Sequence, residues 1–166
     1  MAKLYPVGIQ DFKKIRTGGY VYVDKTALLH RLVSTGSYYF FGRPRRFGKS
    51  LMISTLEAYF EGKKELFEGL AMEQLEKDWI ERPVLHIDLN SQEYNSRKSL
   101  EDILDGYLTR WEEQYGRDPG GNSLSLRFGG VIRRAAKQTG QNVAILIDEY
   151  DNFTNTVLNE QGEGVY

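Results

Sequence analysis

Phe41-Gly42-Arg43-Pro44-Arg45-Arg46-Phe47-Gly48-Lys49-Ser50 is the stretch on which the fold turns. The apolar run Tyr38-Tyr39-Phe40-Phe41 leads into it, and a helix-like segment, Leu51 to Phe60, leads out. Strand, loop ending in Gly-Lys-Ser, then helix is the layout of a phosphate-binding loop. Its chemistry follows from the residue types. Backbone N–H groups of the loop and of the helix N-terminus face an anion. Lys49 places a point charge on terminal phosphates, and the Ser50 hydroxyl can ligate Mg²⁺. The loop is irregular, however. The usual spacing puts its first glycine at position 43, where Arg43 stands, and the nearest glycine is Gly42. Pro44 offers no N–H and fixes its own φ. Phe47, Gly48 and Leu51 complete the expected phosphate cradle with Arg43, Pro44, Arg45, Arg46, Lys49 and Ser50.

Upstream, Gly18-Gly19 signals a turn and Tyr20-Val21-Tyr22-Val23 a short strand. Asp24 stands at an N-cap position. The helix behind it carries Leu28, Leu29, Leu32 and Val33 on one face and ends at Gly36. Downstream, Met52, Ile53, Leu56, Tyr59 and Phe60 recur at helical spacing until Gly62. Residues 64–81 read as a charged helical stretch broken at Gly69. Pro83 precedes a strand, 84–89, with Asn90-Ser91 as its exit turn. Ser99, with Asp102 three residues on, reads as a helix cap. Leu100, Ile103, Leu104, Tyr107, Leu108 and Trp111 form the buried face of the helix that follows. After a loop at 116–122, Ser123 opens a helix that closes at Gly140.

Val143-Ala144-Ile145-Leu146-Ile147 then runs into Asp148-Glu149-Tyr150-Asp151. A continuous apolar strand flanked by helices predicts a parallel sheet covered on both faces, and strands alternating with helices predict an α/β fold. An Asp at the tip of such a strand can hold Mg²⁺. The Glu beside it can polarise an attacking water. Successive side chains on a strand point to opposite sides, so Asp148 and Glu149 can serve metal and water separately. Taken alone, the pair reads equally well as a solvated exit turn. With Gly48-Lys49-Ser50 upstream, nucleotide binding is the stronger reading.

Other candidates carry plainer readings. His30 reads as a surface or groove histidine. His86 shares a strand face with Asp88, which allows a metal pair but fits a packed strand histidine better. Asp88 itself reads as an exit-turn residue or as a group near the site. Tyr20, Tyr22, Tyr38, Tyr39 and Phe40 could face a base, although core is the commoner use. Tyr150 and Asp151 could support the site or form a simple turn. Arg43, Arg45 and Arg46 could bind nucleotide phosphate, grip a nucleic-acid backbone, or pair with acids such as Asp151. A planar, bidentate guanidinium suits each of these.

Composition narrows the class. The 166 residues suffice for one domain with a sizeable core. The absence of cysteine excludes a disulfide framework and a thiolate zinc site, and fits a cytoplasmic location. No apolar run approaches a membrane span, so no membrane partner is expected. Net charge is −1, yet residues 1–50 carry +8 and the remainder −9. A basic N-terminal third suits an anionic ligand, nucleotide or nucleic acid. It suits packing against the acidic remainder equally well.

With both motifs in hand, the chain resembles the predicted AAA-ATPase-like domain of bacterial and archaeal proteins over nearly its whole length. The matching stretches are YPVGIQDF from Tyr5, YVYVDKTALL from Tyr20, RPRRFGKSLMISTLEAYF from Arg43, VLHIDLN from Val84 and ILIDEYD from Ile145. In that family the first loop glycine is typically absent as well. The resemblance implies a three-layer P-loop NTPase-like parallel sheet with helices on both faces, and ATP binding with Mg²⁺-dependent hydrolysis. It assigns Lys49 and Ser50 to phosphate and Mg²⁺, Asp148 to Mg²⁺, and Glu149 to water activation. Tyr22 to Thr26 would help to shape the base pocket. Similar ATPases place a later strand between the loop strand and the Asp-Glu strand. The expectation is therefore that 1–166 is the N-terminal part of such a domain, its sheet incomplete, with weak binding and poor turnover alone. Members commonly continue into a nuclease-like domain, through which nucleic acid would be a partner. Against the ATPase stands a non-hydrolysing nucleotide-binding or nucleic-acid-associated interaction module.

Overall fold

A computed structural model describes residues 4–42, 47–89 and 97–149. The chain divides into two compact units, residues 1–81 and 82–166. The first is helical among the described residues. The second holds a two-stranded parallel sheet with helices. The whole is therefore α/β. No helix among the described residues is long and apolar enough to cross a membrane.

In the first unit, α1 (Phe12–Thr17) starts because Asp11 Oδ1 accepts the Lys14 N–H at 2.8 Å. One turn then brings Phe12 and Ile15 to the same buried side. Phe12 meets Phe67 at 5.0 Å and Tyr22 edge-on at 5.1 Å between ring centroids. In α2 (Thr26–Thr35) the N-cap is Lys25, not Asp24 as the sequence suggests; Asp24, one residue earlier, accepts both the Thr26 N–H and hydroxyl on Oδ1. Leu29 is buried, and Leu32 and Val33 are half-buried, as their spacing predicts. Leu28 lies outside the stripe and is exposed. After α3 (Lys49–Phe60), Gly62 takes φ +69, and a Cβ there would come within 3.3 Å of the Trp79 carbonyl. The stretch 64–81 is no single helix. It forms a 3-10 turn at Lys64–Phe67 and a short α4 (Ala71–Leu75), separated by Gly69 at φ +72. The N-terminus of α4 is tied to α2 by hydrogen bonds from Ala71 N–H to Asp24 Oδ2 (2.7 Å) and from Met72 N–H to Thr26 Oγ1 (3.0 Å).

Two expected strands are absent. Tyr20 to Val23 forms no ladder; its backbone bonds run from Tyr20 N–H to Ile15 O at 3.1 Å and from Val21 N–H to Leu4 O at 2.8 Å. Tyr22 instead packs on Phe12 and shares a hydrogen bond with Thr55. Residues 38–41 form no ladder either. Tyr38 is 97% exposed and Phe40 76%. The Tyr39 hydroxyl turns back to the Leu32 carbonyl at the end of α2. β propensity describes how a side chain fits a pleated surface; without a partner strand it leaves an extended segment.

In the second unit, β1 (Val84–Asp88) pairs with β2 (Ala144–Asp148), Val84 opposite Ala144 and Asp88 opposite Asp148. The exit turn expected at Asn90-Ser91 lies outside the described residues. Between the strands run α5 (Arg97–Tyr115) and α6 (Leu124–Thr139). Ser99 stands inside α5 and does not cap it. Leu85, Leu108, Tyr115, Val131 and Ala135 form the core, with Trp111, Leu124, Phe128, Ile132 and Val143 packed around it. Of the α5 face read from the sequence, Leu108 is buried and Leu100, Ile103, Leu104, Tyr107 and Trp111 are half-buried. Ser123 caps α6 by accepting the Leu126 N–H, and Gly140 closes it at φ +67. α6 runs unbroken through Gly129-Gly130. A Cβ at Gly130 would lie 2.8 Å from Arg134 Nη1, so glycine there makes room for the guanidinium. The sheet is not covered on both faces throughout. Leu85 and Ile87 are buried, while their register partners Ile145 and Ile147 remain 41% and 46% exposed.

The α5–α6 contact also contains charge. The Arg127 guanidinium donates to the Glu112 carboxylate, with Nη2 to Oε2 at 2.8 Å, and to Asp105. Arg127 and Glu112 are both buried. The hydrogen bond from Arg127 holds the Glu112 carboxyl below its usual range, and the two carboxylates make Arg127 harder to deprotonate.

Candidate functional site

One candidate group, in the first unit, is the start of α3. Gly48 stands at the N-cap position with φ +77, the left-handed region that glycine enters without strain. Among the described residues, no atom beyond its chain neighbours lies within 4 Å of where its Cβ would be, so the conformation calls for glycine. Lys49 and Ser50 are the first two residues of the helix, and Leu51 follows. No side chain caps this helix from Gly48, and its first turn contains no acid. A helix N-terminus carries roughly half a positive charge and outward N–H groups. Together with the Lys49 ammonium it forms an anion-accepting end. Lys49 and Ser50 are half-buried and Phe47 is exposed. Arg43, Pro44, Arg45 and Arg46 lie outside the described residues.

A separate candidate group, in the second unit, is the C-terminal tip of the sheet. Asp148 ends β2 at 8% exposure, and its Oδ1 accepts the Glu149 N–H at 2.9 Å. Glu149 takes φ 56, rare for a residue with a Cβ. The chain therefore turns sharply between the two carboxylates. Asp88 is the register partner of Asp148, and Leu89 N–H reaches the Asp148 carbonyl at 3.2 Å. Register partners in a parallel pair project to the same face, so Asp88 and Asp148 share one. Tyr150 and Asp151 lie outside the described residues.

Sequence reading missed two features of the second unit. Tyr107 was read as core, yet its hydroxyl accepts the Asp88 N–H at 3.1 Å and donates to the Asp88 carbonyl at 3.2 Å. Arg127 and Glu112 have no place in the sequence reading, yet they form a buried ion pair between α5 and α6. The available signal was position: Arg127 stands four residues before Val131 and Glu112 four after Leu108, both on core-facing stripes. His30, half-buried on α2, faces Glu76 with Nε2–Oε2 at 3.9 Å, and Tyr59 donates to the same carboxylate oxygen. Among the described residues no group of three or more His, Cys, Asp or Glu gathers into a metal-binding cluster. Mg²⁺ takes oxygen donors and keeps several waters, so a site for it would need only one or two protein groups. The Ser50 hydroxyl and Asp148 carboxylate are hard oxygen donors.

No solved structure matches the chain. An uncharacterized protein in the vnfD 5' region of Azotobacter chroococcum mcd 1 is 42% identical over 151 residues, which cover 90% of this chain. The match takes in only 29% of that relative's length. The family model described as Predicted AAA-ATPase matches residues 6–165, and the chain belongs to that family.

Proposed function

We propose that the chain binds ATP with Mg²⁺ and supplies the hydrolytic residues of an ATPase module, within a three-layer P-loop sheet of which 1–166 is the N-terminal part. The observation that carries this reading is the start of α3, where left-handed Gly48 leads directly into Lys49 and Ser50 on a helix without a side-chain cap. Membership of the family supports it.

In this reading, the N–H groups of Gly48 to Leu51 and the Lys49 ammonium bind the β- and γ-phosphates, and Arg43, Arg45 and Arg46 add charge along the loop. Ser50 and Asp148 would hold Mg²⁺, whose charge would neutralise the phosphate oxygens. Glu149 holds a water by its carboxylate and takes a proton from it. The water oxygen then bonds to the γ-phosphorus as the bond to the β–γ bridging oxygen breaks. Phosphoryl transfer asks mainly for positioning and charge neutralisation, which this set of groups supplies.

Two substitutions test it. Lys49→Ala should weaken binding of a fluorescent ATP analogue by at least about tenfold, the scale of one charge-assisted hydrogen bond. Glu149→Gln should leave that binding within about twofold and remove phosphate release. Unchanged binding in Lys49→Ala would overturn the nucleotide site. Unchanged turnover in Glu149→Gln would remove the role given to Glu149, and binding without turnover in the unsubstituted chain would leave a nucleotide-binding module.

A further inference from the structure

We propose that Tyr107 is a positioning residue for the acidic tip of β2, acting through the backbone of Asp88; the functional part of this inference rests on the ATPase reading above. A residue in a parallel strand directs its N–H and C=O to the same edge, where a neighbouring strand normally receives both. At Asp88 one side chain receives both. The Tyr107 hydroxyl accepts the N–H at 3.1 Å and donates to the carbonyl at 3.2 Å. This end of β1 is therefore finished by α5.

Tyr107 is well held. Its ring lies 5.5 Å from that of Trp111, tilted by 31°, and the Arg110 guanidinium sits 4.7 Å over its centroid. Trp111 in turn meets Phe128 on α6 at 6.1 Å. On the other side of Asp88 the path continues to β2. Leu89 donates its N–H to the Asp148 carbonyl at 3.2 Å, and Asp88 is the register partner of Asp148. The α5–α6 core is thus connected through one hydroxyl, one strand residue and one interstrand bond to the backbone that carries both carboxylates. The Asp148 side chain adds the last link by accepting the Glu149 N–H. A carboxylate that helps to hold a metal loses effect when displaced by a fraction of an ångström, because ligand distances are confined to narrow ranges.

Tyr107→Phe keeps the ring and its stacking and removes only the two hydroxyl bonds. Two measurements on the chain test the inference. Hydrogen exchange at the Leu89 amide should accelerate by about two- to tenfold in Tyr107→Phe, the range a single hydrogen bond contributes. Unchanged protection would overturn the positioning role. Titration with a fluorescent ATP analogue should show about two- to tenfold weaker binding with Mg²⁺ and unchanged binding in EDTA. Equal losses in both conditions, or none in either, would reduce Tyr107 to a structural residue. If the unsubstituted chain binds the analogue in neither condition, the ATPase reading fails and the metal consequence fails with it. The Leu89 exchange rate still decides whether Tyr107 holds the strand tip.

Discussion

Arg127 and Glu112 occupy positions where the helical pattern would place apolar residues, and the cost of burying them is met by pairing. Breaking such a pair is more damaging than never having made it, because the remaining charge is left buried and uncompensated. Arg127→Met should therefore destabilise the chain by about 3–5 kcal/mol in urea unfolding. Arg127→Met combined with Glu112→Leu should recover much of that loss. The same contrast separates glycines. Gly48 and Gly140 both take left-handed φ with nothing near the missing Cβ. Gly140→Ala should cost about 1 kcal/mol, a purely conformational penalty.

At the scale of elements, caps and partners decide what propensity leaves open. α6 carries one unambiguous start signal, the Ser123 hydroxyl bonded to the Leu126 N–H. Ser123→Ala should lower stability by about 1 kcal/mol, read as a shift in the urea midpoint without change in slope. The element-scale expectations that failed share a cause. Tyr20 to Val23 and Tyr38 to Phe41 have strand-like composition, but a strand exists only as a pair, and sequence does not name the partner. Ser99 resembled a cap because Asp102 follows three residues on, yet α5 already spans it from Arg97. Gly62, Ser123 and Gly140 were legible because each acts on backbone groups within a few residues of itself, whereas α1 and its Asp11 cap were not read from the sequence.

For the whole molecule, charge titration sets a pH profile of defined sign. Burial pushes the Asp24 carboxyl up, but hydrogen bonds from Ala71 and Thr26 outweigh it and hold the carboxyl low. Glu76 is likewise held low against burial by Tyr59 and the backbone of residues 77 and 78, and Glu112 is held low by Arg127. A carboxyl lowered on folding contributes stability above the ordinary range near pH ~4 and loses it as pH falls through the folded value. Glu61, raised by burial and by Glu57, acts in the opposite direction. Among the described residues, three lowered carboxyls against one raised predict that thermal stability declines on acidification below about pH 4.5. Glu112→Gln should flatten that decline. An unchanged acid limb in Glu112→Gln would show that the buried pair does not control it.

The sequence by itself determined the helices marked by Gly62, Ser123 and Gly140, the strands read at 84–89 and 143–147 to within a residue, the core-facing side of α5, and the Gly48-Lys49-Ser50 and Asp148-Glu149 motifs. These depend on periodicity, capping and backbone freedom, which act over a few residues. Only the tertiary structure decided that β1 and β2 are direct neighbours in register, that residues 20–23 and 38–41 are not strands, that Arg127 and Glu112 meet across 15 residues, and that Tyr107 finishes the strand at Asp88. Each of these is a contact between groups distant along the chain. Hydrogen-bond and charge partners at that range are selected by how whole elements pack, and no short window of sequence contains that information.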